Sequence, residues 1–406
     1  MEKTEGIVNL LNRVPPAVRY KLLQYSQNEI YGVGKIEFVV LYGIKVDAVR
    51  EKVEAINGSL EDLGFGFGIV TIDFSKLDEF YNIEEIDYIE LPKTLFETAE
   101  ASNREIGATQ VWEQYGLSGS GVIVGFIDSG IDYTHPAFIN EDGTTRIDYI
   151  YDLSLGGKVF NSDDINKALN SSDPHSVVPS QDEVGHGTHV AGIAAAGGKI
   201  DKKYYGVAYE STIAMVKFTR SGKTLFGKSS QLMRGLKFLL DKSIELDKPI
   251  VINISYATNS GAHDGSSLLE QYIDTLSRIE KVTIVIAAGN EGEAAHHVGK
   301  SVQGTAEIEE TFNVAEGEQV IILQLYKPIL WDISLEIRCP CNVNSELIAM
   351  RQGFYSGKIG NNEYYISVSG PLPFSIEGDI YIAIVGETEG IFAGVYTLYM
   401  TIEGEP

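Results

Sequence analysis

The hydrophobic pattern changes character twice along the chain. Up to about residue 92 the apolar runs are short and mixed with polar positions. Strands are predicted over 36–42, 66–72 and 86–92, and helices over 46–56, which Asn57-Gly58 stops, and 76–80. Strand, helix, strand, helix, strand is the split βαβ order of a small α+β, ferredoxin-like domain. Residues 10–23 carry Pro15-Pro16 and weak helical periodicity, and read as an arm or short helix. Residues 93–104 are polar and predict a linker, with a helix over 103–115. From residue 122 the runs become continuous. Residues 122–127, 214–218, 250–254 and 282–287 predict strands buried on both faces, with helices over 189–196, 230–246 and 266–279 between them. That alternation predicts a doubly wound parallel sheet, α/β in class, with functional groups at the carboxyl ends of its strands. Past about residue 299 the helices stop. Short runs at 311–314, 320–325, 333–337, 364–368, 379–385 and 395–400, separated by Gly, Pro or Asn, predict an all-β sandwich or jelly roll. The expected domains are 1–100, 101–300 and 301–406.

Composition removes several classes of function. With 406 residues there is room for more than one core, and 44% hydrophobic with 22% charged residues is ordinary for a globular protein. A net charge of −25 argues against a nucleic-acid binder and against docking on anionic lipid. No run reaches membrane-spanning length, and Met1–Gly6 lacks a charged-then-apolar signal pattern, so the expected location is cytoplasmic. The cysteines, Cys339 and Cys341, flank Pro340 and make neither a disulfide framework nor a zinc site; they read as a strand-to-strand turn.

Three polar groups then fall where strand ends should converge. Asp128 closes one buried run in Asp128-Ser129-Gly130. His186 opens a helix in Gly185-His186-Gly187-Thr188-His189-Val190-Ala191-Gly192. Asn290 follows another buried run in Ala287-Ala288-Gly289-Asn290. A carboxylate holds an imidazole in one tautomer, an imidazole titrating near neutrality is a general base, and a side-chain amide donates to a developing oxyanion.

In these boxes, and in their order, the chain resembles the subtilases, the subtilisin-like serine proteases. The resemblance implies a subtilisin-like catalytic domain over 101–300, with His186 as base, Asp128 orienting it and Asn290 as oxyanion donor. It implies that Ser255, Tyr256 and Ala257, after Asn253-Ile254, form a wall for a protein or peptide substrate. Residues 1–100 then correspond to a prodomain that chaperones folding and inhibits the enzyme, with self-cleavage expected in 95–103. An all-β insertion straight after the oxyanion asparagine is similar to the Csp-type germination subtilases, in which a jelly roll interrupts the protease domain. That likeness implies limited proteolysis such as activation of a spore cortex-lytic enzyme precursor, and a spore-associated location. Two departures stand out. Ala257 occupies a position usually glycine. A Gly-Thr-Ser-x-Ala nucleophile box is missing, since Gly304-Thr305-Ala306 opens the β-rich part instead. The serine is therefore expected beyond Pro406, the chain reading as a fragment or one half of a split protease. The alternative is a non-catalytic pseudoprotease acting as a germination sensor or regulator.

The remaining candidates read as structural. His189 lies three residues after His186, without the His-Glu-x-x-His spacing of a zinc helix, and packing or hydrogen bonding is its expected role. Asp182 and Glu183 can be an acidic subsite for a basic substrate residue or a solvated loop, and the loop is the expectation. Asp132 and His135 read as structural, His263 as a loop residue near the groove, and His296-His297 as no metal site. No cofactor is expected. Calcium is common among subtilases, but Asp142-Gly143, Asp163-Asp164 and Asp173 lack a Ca²⁺-loop spacing.

Overall fold

A computed structural model of the protein describes all residues except 1–2, 16–17, 20, 23–28, 31–33, 98–105, 219–226, 388–389 and 404–406. It divides into two compact units: residues 1–92, 260–271 and 297–406 form one, and residues 93–259 and 272–296 the other.

The second unit holds a six-stranded sheet in the order Val282–Ile286, Ile250–Ile254, Ile123–Asp128, Thr212–Lys217, Ile147–Asp152, Lys158–Asn161. Every neighbouring pair is parallel except the last. The central strand Ile123–Asp128 is buried throughout, as its uninterrupted apolar run requires. On one side of the sheet the helix His186–Ala195 packs with Phe126, Ile150 and Met215 into a common core. On the other side lies the helix Ser229–Leu246. There the missing side chains of Gly125 and Gly235 let backbones close up, since a Cβ would come within 3.0 Å of Leu239 and of Ile127 respectively. The sheet is thus doubly wound, as the alternation implied. Val282–Ile286 departs from the reading of a strand buried on both faces, because Thr283, Val285 and Ile286 are exposed. No strand pairs with its outer edge among the described residues. Also unforeseen is a short antiparallel sheet in which Thr94–Glu97 runs between Gly227–Lys228 and Tyr256–Ala257. Residues 94–97 are therefore strand rather than linker; the rest of the expected self-cleavage stretch, 98–103, lies outside the described residues.

Buried Arg146 ties this unit together. Its guanidinium donates to the carbonyls of Ala137 (3.0 Å), Ala195 (2.6 Å) and Ser211 (2.9 Å), so it fastens the far end of the histidine helix to two loops. Arg146→Met removes donors from three buried carbonyls, and we expect a loss of about 3 kcal/mol or more in urea denaturation. A loss below ~1 kcal/mol would show that water replaces the guanidinium.

The first unit combines an α+β module with a sandwich. The module has a 5-stranded antiparallel sheet in which Lys35–Leu41 pairs with Phe67–Asp73 on one side and with Tyr88–Glu90 on the other. Helices Gly6–Arg13, Val46–Ala55 and Leu77–Tyr81 supply Leu10, Leu11, Val49, Val53 and Phe80 to its core. The sandwich consists of two four-stranded antiparallel sheets, Ala306–Val314, Gly394–Glu403, Asp332–Arg338, Ile348–Ala349 and Val320–Pro328, Glu377–Gly386, Asn362–Ser369, Gly353–Ile359. Alternation divides the strand Glu377–Gly386 between two cores. Ile380, Ile382 and Ile384 face into the sandwich. Tyr381, Ala383 and Val385 join Leu10, Leu11 and Phe38 in the core of the α+β module.

The turn at Cys339-Pro340-Cys341 corrects the cysteine reading, because the two side chains are joined in a disulfide with their Cα atoms 5.0 Å apart. Proline bends the chain so that residues two apart reach bonding distance, which spacing rules for frameworks do not anticipate.

Candidate active site

One carboxyl-terminal strand end and one helix start bring Asp128 and His186 together. Asp128 is the last residue of the central strand and is fully buried. His186 is the first residue of its helix, entered through Gly185 at φ +85°, a conformation that glycine adopts without strain. Gly187 sets the distance between the two elements. A Cβ there would lie 2.2 Å from the carbonyl oxygen of Gly130, so the helix start rests directly on the aspartate turn. The result is a bond of 2.8 Å between His186 Nδ1 and Asp128 Oδ1. A carboxylate only accepts, so Nδ1 carries the proton and Nε2 is left with its lone pair. Asp128 Oδ1 also accepts from the Ser129 backbone N–H at 2.7 Å, while its Oδ2 is buried with no hydrogen-bond partner among the described residues.

Asp182 is not a solvated loop residue. It accepts from Ser129 Oγ at 2.8 Å, Gly185 N at 2.9 Å, and Thr188 N and Oγ1 at 2.9 and 2.6 Å. Burial works to raise its carboxyl pKa, but the hydrogen bonds from Thr188, Ser129 and Gly185 together outweigh burial and hold it below the usual carboxylate range. With both oxygens turned inward, Asp182 makes no acidic subsite. Glu183 is exposed and pairs with Lys217 at 2.8 Å.

The other sequence candidates fall as follows. Asn290 is exposed, in the loop after Val282–Ile286. Ser255 and Tyr256 are buried; Ser255 Oγ accepts from Asn253 at 2.7 Å, and the Tyr256 ring meets Phe218 edge-on at 4.6 Å. Ala257 is partly exposed, and the backbone of Tyr256–Ala257 pairs with Glu97 and Phe96. His189 is exposed, so of its two expected roles packing is not the one it fills. His135 caps a 3₁₀ turn by accepting from Ala137 N, and Asp132 caps its own turn at Thr134. His263 adopts a left-handed φ of +55°. His296 contacts Asn259 at 3.2 Å and Glu291 at 3.4 Å. Among the described residues no three His, Cys, Asp or Glu side chains converge to hold a metal ion.

A doubly wound sheet with an Asp–His pair at its strand ends defines a class of hydrolase scaffold, and the comparisons with known proteins name it. Residues 119–347 match the subtilase family, and the chain belongs to that family. Residues 2–93 match the Csp protease B prodomain. The solved structure of the Clostridium perfringens CspB protease is similar over 75% of this chain and 67% of that one, with 46% identity and a TM-score of 0.69. The PI-type proteinase of Lactococcus lactis subsp. cremoris is 28% identical over 258 residues, 59% of this chain. Subtilisin E of Bacillus subtilis (strain 168) is 30% identical over 228 residues, 55% of this chain and 49% of its own. The chain spans only 12–13% of the length of the lactococcal proteinases. No helix among the described residues is long and apolar enough to cross a membrane.

Proposed function

We propose that this chain is the prodomain-bearing part of a serine endopeptidase, in which His186 is the general base, Asp128 orients it and Asn290 donates to the oxyanion. The observation that carries this reading is the Asp128–His186 bond at the carboxyl end of the central parallel strand. With Nδ1–H held by Asp128, His186 Nε2 takes the proton of a serine hydroxyl as its oxygen attacks the scissile carbonyl. The imidazolium so formed faces a buried carboxylate whose second oxygen has no donor among the described residues, so the new positive charge is strongly stabilised. The same proton then passes to the leaving amine as the tetrahedral intermediate collapses.

The nucleophile is a serine supplied from outside residues 1–406, which contain no Gly-Thr-Ser-x-Ala sequence. The substrate is a protein held as an extended strand along Tyr256–Ala257. Support comes from the chain itself, whose segment Thr94–Glu97 runs antiparallel to that strand. Residues 1–100 act as the enzyme's own prodomain, and residues 301–406 as a jelly-roll insertion. The likeness to the Csp-type germination subtilases extends the proposal to limited proteolysis of a spore cortex-lytic enzyme precursor.

A fluorophosphonate probe on the complete protein, with its prodomain displaced, is expected to label one serine outside 1–406. No labelled serine would overturn the endopeptidase reading in favour of a non-catalytic regulator.

A further inference from the structure

The carboxylate of Asp182 receives more hydrogen bonds than the mechanism above requires of a loop residue. Oδ1 accepts from Ser129 Oγ, Gly185 N and, at 3.3 Å, Val184 N; Oδ2 accepts from Thr188 N and Oγ1. Each partner is one step from the Asp128–His186 bond or carries a second link toward it. Ser129 N donates to Asp128 Oδ1, and Ser129 Oγ accepts from Gly187 N at 2.9 Å. Thr188 Oγ1 accepts from Asp132 N at 2.9 Å, fastening the helix to the chain beyond the aspartate turn. Gly185 and Gly187 flank His186 in sequence.

The loop that presents Asp182 is itself pinned. Buried Lys217 donates to the Gln181 carbonyl at 2.6 Å and pairs with Glu183 at 2.8 Å, so the residues on both sides of Asp182 are held. Lys217 is the register partner of Asp128 in the parallel pair of strands, so the anchor starts from the strand next to the site.

We propose that Asp182 is a positioning residue, whose carboxylate clamps the aspartate turn to the first turn of the histidine helix and thereby fixes the His186 ring against Asp128. The assignment rests on the reading of that pair as catalytic. Asp182 touches neither the imidazole nor a reacting atom. It acts through Ser129, Gly185 and Thr188. Without it, five donors lose their common acceptor, and the helix start becomes free to shift by the fraction of an ångström that separates a held imidazole from a loose one.

The test is proton NMR of the chain, reading the His186 Nδ1–H resonance and its exchange with solvent. The charged groups around that ring's setting are Asp128 on its own strand, Asp182 and Glu183 in the loop, and Lys217 and Asp152 on neighbouring strands. In the unsubstituted protein a low-field Nδ1–H signal is expected, and it should vanish in Asp128→Ala. In Asp182→Ala the signal should be lost to solvent exchange. An unaltered signal in folded Asp182→Ala would reduce Asp182 to a structural residue and overturn the proposal. Should that variant not fold, Ser129→Ala and Thr188→Val each sever one link. Faster exchange of the Nδ1 proton in both supports the clamp, and wild-type exchange in both overturns it. Absence of an Asp128-dependent signal in the unsubstituted protein would instead sink the Asp–His reading on which the clamp depends.

Discussion

Replacing His186 with alanine in the complete enzyme should lower kcat for peptide hydrolysis by on the order of 10⁴-fold or more, with KM little changed. Nδ1 of the ring is held by Asp128, so in the proposed mechanism the imidazole contributes to proton transfer rather than to holding substrate. Asp128→Asn tests the same geometry from the other side. An amide of the same shape donates as well as accepts, so it favours the tautomer with the proton on Nε2, where a base needs a lone pair. Both variants should retain the wild-type melting temperature to within a few degrees. A His186→Ala enzyme that cleaves at more than a tenth of the wild-type rate would remove histidine from the role of base.

The second large effect concerns stability. Tyr381 is buried, sits in the core of the α+β module, and donates its hydroxyl to Glu5 at 2.9 Å. Burial, reinforced by the Glu5 and Asp379 carboxylates, pushes its hydroxyl far above the usual phenol range, so it remains a neutral donor. Tyr381→Ala should cost about 3–5 kcal/mol by leaving a cavity, whereas Tyr381→Phe, which removes only the hydroxyl that donates to Glu5 and accepts from Gln324, should cost about 1–3 kcal/mol. Because the same strand serves both cores, hydrogen exchange should speed up together at Val49 and Val53 of the module and at Leu335 and Ile337 of the sandwich. Acceleration confined to the sandwich would show that the two cores melt independently.

Much of the architecture could be read before any coordinates. The uninterrupted runs of the parallel sheet and the Gly-flanked histidine needed only local pattern, and the strands and helices around them lie within a few residues of their expected bounds. What escaped depends on partners distant in sequence. Ile147–Asp152 has a mixed burial pattern and carries Asp, Tyr and Asp among its apolar residues, so nothing in its run marks a strand next to the sheet centre. Thr94–Glu97 is strand only because Gly227–Lys228 and Tyr256–Ala257 flank it. Gly353–Ile359 holds two glycines, a serine and a lysine, and forms one edge of its sheet. In the candidate site, Asp128 and His186 stood out through their neighbours, Ser129-Gly130 and Gly185-Gly187. Asp182 did not, because a charged residue between Gln181 and Glu183 looks like any wet loop until Ser129 and Thr188 are seen to face it.

The strand shared between two cores also sets an order of events at the ribosome. Gly6 N meets the Asp379 carboxylate at 3.3 Å, and Glu5 receives the hydroxyl of Tyr381. The helix that begins at Gly6 thus waits for a partner made 373 positions later. At synthesis rates of about 5–20 residues per second, roughly 20–75 s separate the two partners. During that interval Leu10 and Leu11, both destined for the interior, lack the part of their packing that the strand Glu377–Gly386 supplies. The amino-terminal module therefore emerges early and matures late, and the nascent chain must keep an apolar face shielded for most of its own translation.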